Sequence, residues 1–412
     1  MSDATSAALA QLDAAGMLVF LRELVRTPSV FLPGVPGANE QRAAQLVYNL
    51  LTEWGWEPLW EEVAPGRPNV IAELPGRLGE SSRVLILEGH TDVVTPGDPA
   101  AWSHDPFGAE VVSGRMYGRG TADMKGGVAA LLFAARALQL AGAPFAGWLR
   151  LLIPVDEEGM MLGIKHMVAR GHADDVAGAI ICEPEERELC VAHKGSLRLR
   201  LVAYGRIAHG AMPEEGVNAL AAMVRLLARV LELEAEEQRI HGVHPLLGKP
   251  YITPTIARAP LSGDASQINC LPDTCDAFLD IRSLPSQHHH DLIARIQALM
   301  AALQREFPSY RYELEVIDDR PSTEIATEHP LVAAVSAAHT HVYGAAPAFG
   351  GVPGATDGVI LVRDRGVPVV VYGPGGKRIP HQPDEYVELE EVVRAAQVYI
   401  IAALRFLNDR VF

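Results

Sequence analysis

The sequence predicts a two-domain α/β protein in which one domain interrupts the other. At 412 residues the chain is longer than a single hydrophobic core usually allows. Helical segments alternate with apolar strands over about 17–192 and again after Pro330, which is typical of an α/β domain with a central mixed sheet. The pattern changes in between. We therefore expect residues 1–193 and 319–412 to form one discontinuous domain, and residues 194–318 to form an insertion.

The outer domain is predicted from alternating helical and strand patterns. Amphipathic spacing predicts helices at 18–25, 39–54 and 125–140. Apolar runs predict strands at 84–87, 149–155 and 179–182. The pattern resumes after the insertion, with a helix, a strand and a helix at 331–343, 368–372 and 389–407.

The insertion is predicted to have the order β-α-β-β-α-β. Its strands are expected at 196–204, 251–257, 275–282 and 310–316, and its helices at 218–234 and 287–307. This is the ferredoxin-like order of an α+β domain. Asn218 is the expected N-cap of the first of these helices. The run 288–290 of three histidines follows a helix start signal, so we interpret it as an exposed first turn rather than a metal site.

Composition restricts the possible partners. A net charge of −16 and a pI near 5.4 argue against binding to nucleic acid or to an anionic membrane. Residues 1–13 contain no basic segment followed by a long apolar one, so a signal peptide is not expected. The four cysteines have no metal-type spacing and are expected to stay reduced. We therefore expect a cytoplasmic protein with no membrane or nucleic-acid partner.

A histidine and an aspartate follow the predicted strand 84–87. His90 and Asp92 are two residues apart, and residues at that spacing share a face of an extended chain. This arrangement suits a metal ligand with an acidic residue beside it.

Further acids and histidines occupy strand ends or glycine-rich turns. The carboxyl ends of strands in an open α/β sheet meet at one edge, where ligands bind, so we expect these residues to converge. They are Asp123, Glu157, Glu158, Glu183 and His381. Each residue alone is more typical of a cap or a solvated turn, but the whole set in this order favours a shared site.

Charge indicates what this site holds. Several carboxylates in one partly buried cleft require positive charge nearby. Histidine with carboxylate suits zinc, cobalt or manganese, and two divalent ions would balance Asp123, Glu158, Glu183 and one further carboxylate. Glu157 is that further carboxylate. In an extended segment it faces away from Glu158, and it could accept a proton from metal-activated water.

Two motifs carry a resemblance to a known family. Gly89-His90-Thr91-Asp92-Val93-Val94 and Asp123-Met124-Lys125-Gly126-Gly127 resemble those of the di-zinc metallopeptidases that include acetylornithine deacetylase, succinyl-diaminopimelate desuccinylase, carboxypeptidase G and aminoacylase. The resemblance extends over about 20–407. It implies a zinc-peptidase-like catalytic domain interrupted by a lid or dimerisation domain.

The resemblance also implies roles for individual residues. His90 and Glu183 would hold one zinc ion, Glu158 and His381 the other, and Asp123 would bridge them. Asp92 would orient His90, and Glu157 would be the general base. The peptide bond between Asp123 and Met124 would be cis.

A third motif of the family lies in the insertion. Ala208-His209, Pro213, Gly216 and Asn218-Ala219 match the family's pattern, which implies that His209 stabilises an oxyanion, often in the neighbouring subunit of a homodimer.

Five further residues are candidates for binding the substrate. Asn269 and Arg282 match such positions, and Arg282 suits a carboxylate, although an ion pair with Asp280 is the alternative. Gly354 and Thr356 lie in a glycine-rich turn that resembles one in the family. Lys194 lies at the expected hinge, where plain surface is the alternative.

The sequence therefore predicts a hydrolase of linear amide bonds with two zinc ions per subunit, replaceable by cobalt or manganese. The expected substrate is a small N-acyl amino acid, or a dipeptide-like amide with a free carboxylate. A carboxypeptidase, a dipeptidase or an N-carbamoyl amino acid amidohydrolase would use the same site. A non-catalytic metal-binding regulatory protein would be expected to lack a ligand or the base, and none is missing. A phosphoesterase is disfavoured because few basic residues flank the expected ligands.

Overall fold

A computed structural model describes residues 3–79, 81–260 and 267–408. The chain forms two compact units. Unit 1 comprises Met1–Val191, Ile325–Gly350 and Thr356–Phe412, and unit 2 comprises Ala192–Glu324 and Gly351–Ala355.

The secondary structure follows the alternation expected from the sequence. In chain order the strands are Leu59–Ala64 (β1), Arg67–Pro75 (β2), Val84–Glu88 (β3), Glu110–Val112 (β4), Arg115–Tyr117 (β5), Trp148–Ile153 (β6), Val176–Ile181 (β7), Leu189–His193 (β8), Gly195–Tyr204 (β9), Ala208–His209 (β10), Tyr251–Arg258 (β11), Cys270–Leu271 (β12), Thr274–Ser283 (β13), Arg311–Arg320 (β14), Thr323–Glu324 (β15), Phe349–Val352 (β16), Val369–Val371 (β17) and Tyr386–Glu388 (β18). The α-helices are Asp3–Ala10 (α1), Ala14–Val25 (α2), Gln41–Glu53 (α3), Gly126–Leu140 (α4), Leu162–Ala169 (α5), Ala219–His241 (α6), His289–Glu306 (α7), Pro330–Tyr343 (α8), Gly358–Arg365 (α9) and Leu389–Asn408 (α10).

Unit 1 is built on a mixed sheet, which confirms the predicted α/β fold class. Its strand order is β1-β2-β6-β3-β7-β17-β8. β6, β3, β7 and β17 run parallel to one another, whereas β1, β2 and β8 pair antiparallel with their neighbours. β3 is buried along its whole length, which explains the apolar run at 84–87, and its last residue, Glu88, is buried as well.

The helix α4 lies very close to this sheet. A Cβ atom at Gly127 would lie 2.1 Å from the carbonyl oxygen of Cys182, so only glycine allows this approach. α4 also packs against α10. The turn that precedes α4 is thereby held near the carboxyl ends of the strands.

Unit 2 has the element order β9-α6-β11-β13-α7-β14, with the short strands β10 and β12 between them. The four long strands form an antiparallel sheet in the order β11-β13-β9-β14. Its core contains side chains of α6, α7 and the four long strands. Asn218 accepts a hydrogen bond from the Ala221 N–H at 3.0 Å, which confirms it as the N-cap of α6.

The histidine run at 288–290 differs from the prediction at one position. His289 is only 7% exposed, and its ring nitrogens lie 2.7 Å from Ser283 Oγ and 2.5 Å from Asp319 Oδ1. The expectation of an exposed turn is therefore wrong for His289. The helix start was recognisable in the sequence, but the sheet against which its first turn packs was not.

No single helix in the described part of the chain has the length and apolar composition needed to cross a membrane. The bent pair α1 and α2 meets those criteria only when its two helices are taken together.

Candidate metal centre

The parallel strands β6, β3 and β7 end at the same edge of the sheet in unit 1. His90 and Asp92 follow β3, Glu157 and Glu158 follow β6, and Glu183 follows β7. Because the three strands are neighbours, the residues that follow them converge.

The first cluster is centred on His90, which is fully buried. Its Nε2 lies 3.2 Å from Asp123 Oδ1 and 3.2 Å from Glu183 Oε1. Ligand atoms of His90, Glu157 and Glu183 all lie within 4.8 Å of one another, as a shared metal ion requires. Glu157, predicted as the base, therefore lies beside the ligands.

The second cluster is centred on His381, in the loop between β17 and β18. Its Nε2 lies 2.9 Å from Glu158 Oε1 and 3.4 Å from Asp123 Oδ2. Ligand atoms of Asp123, Glu158 and His381 also lie within 4.8 Å of one another. Asp123 thus turns one carboxylate oxygen towards His90 and the other towards His381, which is the arrangement of a bridging ligand.

The turn that carries Asp123 is held by Glu385, to which sequence analysis assigned no role. The Asp123-Met124 peptide bond is cis, as the resemblance predicts. Glu385 is fully buried and pairs with Arg119. It also accepts backbone hydrogen bonds from Gly120 at 2.9 Å and Ala122 at 3.1 Å. Its position close after His381 was visible in the sequence, but its partners more than 260 residues away were not.

His90 is oriented by two groups of Asp92. Its Nδ1 lies 3.0 Å from the Asp92 backbone oxygen and 3.6 Å from the Asp92 carboxylate. The other carboxylate oxygen accepts a hydrogen bond from the Glu158 N–H at 3.0 Å. Asp92 therefore links the loops after β3 and β6.

The carboxylates of this centre favour a bound cation. Burial, followed by the charge of Asp123, raises the pKa of Glu183 to about 8. Burial also raises the pKa of Glu157 well above its usual range. Buried carboxylates at this separation are unfavourable unless positive charge offsets them. The donor set of two histidines and several carboxylates fits borderline divalent metals such as zinc.

A second buried ionic group lies close to the centre and was also missed in the sequence. The Arg67 guanidinium pairs with Glu40 and lies 2.6 Å from Asp156 Oδ1. All three side chains are at most 8% exposed. Asp156 immediately precedes Glu157, so this network fixes the start of the Glu157-Glu158 loop.

Two of the predicted site residues lie together in unit 2. The short strands β10 and β12 pair His209 with Cys270, which places Asn269 at the adjacent position. His209 is exposed, and its Nδ1 accepts a hydrogen bond from the Ala211 N–H at 3.0 Å. In its neutral form the ring must then carry its proton on Nε2, which remains a donor.

Arg282 and Gly354 are also neighbours in unit 2. A Cβ atom at Gly354 would lie 4.0 Å from Arg282 Nη1. Arg282 donates to Asp280 through two contacts, from Nε to Oδ1 at 2.6 Å and from Nη2 to Oδ2 at 3.1 Å. The ion pair with Asp280 that was the alternative from the sequence is therefore present.

Lys194 and Thr356 are both buried. Lys194 is 6% exposed and donates to the Lys249 carbonyl at 2.6 Å, so it is not plain surface. Thr356, in unit 1, is 5% exposed and accepts a hydrogen bond from the Gly358 N–H at 3.3 Å.

An α/β fold with histidines and carboxylates converging at the sheet edge defines the class of metal-binding hydrolases. The chain belongs to one family of that class. Peptidase family M20/M25/M40 matches residues 86–405, so the protein is a hydrolase of amide bonds.

Similar proteins agree with this assignment. The chain is 28% identical to the probable succinyl-diaminopimelate desuccinylase of Staphylococcus aureus (strain N315), over 84% of this chain and 87% of that protein. The structure of the M20 family metallo-carboxypeptidase Sso-CP2 of Sulfolobus solfataricus matches with a TM-score of 0.76 at 19% sequence identity. The match covers 95% of this chain and 99% of the Sso-CP2 chain. The structure of the YXEP protein of Bacillus subtilis, a dinuclear metal-binding peptidase of family M20, matches with a TM-score of 0.71 at 17% sequence identity. The match covers 96% of this chain and 98% of the YXEP chain.

Proposed function

We propose that the protein is a zinc-dependent hydrolase that removes the acyl group from a small N-acyl amino acid. The observation that carries this proposal is the position of Asp123 between the two clusters, with its oxygens 3.2 Å from His90 and 3.4 Å from His381. A carboxylate shared in this way suits two metal ions, and the dinuclear peptidase from Bacillus subtilis supports that number.

The proposed ligands are those predicted from the sequence. His90 and Glu183 would hold one ion, Glu158 and His381 the other, and Asp123 both. When bound, the two ions would polarise the amide carbonyl and lower the pKa of water. Cobalt or manganese would suit the same donors.

Glu157 is the proposed proton carrier. It is 8% exposed and belongs to the His90 cluster, so its carboxylate lies beside the proposed ligands. It would take the proton of that water and deliver it to the amine nitrogen as the carbon–nitrogen bond breaks. Asp92 would keep the His90 ring in place during this step.

His209 is the proposed donor to the oxyanion that forms at the carbonyl oxygen. Since the Ala211 N–H occupies Nδ1, the donating atom would be Nε2. Removal of such a donor typically reduces the rate by about 100- to 1000-fold. Asn269, beside His209 in the paired strands, would bind the substrate close to this donor.

The free carboxylate of the substrate is assigned to Arg282, with Gly354 leaving room beside its guanidinium. The pair with Asp280 leaves Arg282 Nη1 available as a donor, because only Nε and Nη2 bond the aspartate. Lys194 and the Thr356 hydroxyl are proposed further contacts for the substrate.

Two of the similar proteins are named for different reactions at an amide bond. A desuccinylase removes an acyl group, whereas a carboxypeptidase cleaves a peptide, and both products carry a free carboxylate. An N-carbamoyl amino acid amidohydrolase would use the same site. We further propose a cytoplasmic homodimer that joins through unit 2, with neither nucleic acid nor membrane as a partner.

The test is a substrate panel with the zinc-loaded protein. N-acyl amino acids are expected to be hydrolysed faster than dipeptides or N-carbamoyl amino acids.

The Glu157→Ala variant should lose turnover by at least about 100-fold while its metal content stays near wild type. Replacing the exposed Glu57 with alanine is the matched control. Full activity of the Glu157→Ala variant would refute the assigned base, and faster dipeptide cleavage would refute the assigned substrate class.

A further inference from the structure

We propose that a pocket in unit 1 receives the acyl group of the substrate and selects an uncharged apolar group over a dicarboxylic one such as succinyl. This inference rests on the proposed function and specifies its substrate. The relative from Staphylococcus aureus is named for the removal of a succinyl group, so the two proteins would differ in acyl specificity.

The pocket, which we call the acyl pocket, opens directly beside the metal centre. It has a volume of about 280 Å³, and Glu158 and Asp92 line one end. The remaining wall includes four apolar side chains, those of Val30, Phe31, Val93 and Val94. A group attached to a carbonyl near Glu158 would therefore extend along an apolar wall.

The size of the acyl pocket suits a short acyl chain. With about 30 Å³ for each water-sized group, its volume of about 280 Å³ accommodates about nine such groups. Succinyl and 4-methylpentanoyl groups have equal numbers of non-hydrogen atoms and differ in the end group, which is a carboxylate or two methyl groups. Both fit by volume, so selection between them depends on charge.

Charge in the acyl pocket opposes a second carboxylate. Among the described residues that line it, Arg67 is the only basic one, and its guanidinium is already bound to Glu40 and Asp156. The Phe31 ring covers the guanidinium at 3.6 Å from its centroid. Asp156 and Glu158 also line the pocket. A succinyl carboxylate placed there would lose its hydration, lie near the Asp156 carboxylate and gain no free cation.

The same charges decide which end of the substrate enters. The amine product of the proposed reaction carries a free carboxylate, which the acyl pocket would repel for the reasons just given. The acyl end carries no obligatory charge. An apolar acyl group against Phe31 and the three valines is therefore the occupant that fits the chemistry of the wall.

The experiment compares two substrates of one amino acid, the N-(4-methylpentanoyl) and the N-succinyl derivatives, with the full-length metal-loaded protein. The kcat/KM is expected to be at least about 10-fold higher for the 4-methylpentanoyl substrate. Phe31→Arg, which adds an unpaired cation to the wall, should shift this ratio towards succinyl by about 10-fold. Phe349→Arg is the matched control, because both phenylalanines are 40% exposed and Phe349 does not line the pocket.

A binding measurement separates this inference from the proposed function. Calorimetric titration with the free acids should give tighter binding of 4-methylpentanoate than of succinate, even if neither amide is hydrolysed. Failure to hydrolyse any N-acyl amino acid would refute the proposed function, and the titration would then decide the acyl pocket alone. Equal or tighter binding of succinate, or an unchanged substrate ratio in Phe31→Arg, would overturn the inference.

Discussion

Replacing Glu385 with alanine is expected to lower the free energy of unfolding of unit 1 by about 4 kcal/mol. The pair with Arg119 is almost fully buried, with side chains 0% and 2% exposed. Removal of one partner of a buried ion pair leaves an uncompensated charge, which costs about 3–5 kcal/mol. The N–H groups of Gly120 and Ala122 also lose their acceptor. Glu385→Gln also leaves the Arg119 charge uncompensated but keeps an acceptor oxygen for the two N–H groups, so its loss should be smaller than that of Glu385→Ala, about 3 kcal/mol.

A nearby surface pair provides the matched control. Arg115 and Glu388 lie 2.7 Å apart, but their side chains are 42% and 36% exposed. Glu388→Ala should therefore cost less than about 1 kcal/mol. Equilibrium unfolding in urea gives these free energies by linear extrapolation, fitted with one transition for each unit.

A second measurement reports on the turn that carries Asp123. Because Glu385 accepts hydrogen bonds from this turn, Glu385→Ala should also retain less zinc after dialysis than Glu388→Ala. Equal losses of stability in the two alanine variants would refute the reasoning about burial. If Glu385→Ala does not fold, the smaller loss expected of Glu385→Gln remains measurable against Glu388→Ala.

Two further predictions concern unit 2. His193 is buried, which lowers its pKa to about 4, below the ordinary value near 6.5. The unfolded chain then binds a proton that the folded chain does not, so stability should fall by about 3 kcal/mol as the pH drops from about 6.5 to about 4. The free energy of unfolding of His193→Gln, measured in urea across this range, should depend less steeply on pH than that of the wild type. An equal dependence on pH would contradict the lowered pKa assigned to His193. Leu226→Ala, at a fully buried position of α6, should cost about 2–5 kcal/mol. Leu231→Ala on the same helix, at 53% exposure, should cost less than about 0.5 kcal/mol, and similar losses would refute the assigned core face.

Local pattern allowed much of the fold and most of the metal centre to be predicted. The apolar run of β3 and its end before His90 are properties of neighbouring residues, as are β7 and Glu183. Parallel strands in an open sheet place their ends at one edge, so convergence could be expected without coordinates. The residues expected as ligands could be named from their types, from their positions at strand ends and from the resemblance to the family. The element order of unit 2 was predictable for the same local reason.

The contacts that hold these residues in place were decided only by the tertiary structure. Glu385 meets Gly120 from 265 residues away, and no local pattern connects them. His289 lies at a recognisable helix start, but its burial depends on the distant Asp319. Arg67 lines the acyl pocket without offering a free charge, because folding brings Glu40 and Asp156 to it. The sequence by itself determined which strands and helices form and which residues carry the chemistry, since periodicity and residue type are local. The order of strands in the sheet determined which charges meet and which are compensated, since electrostatic interactions depend on distance in space.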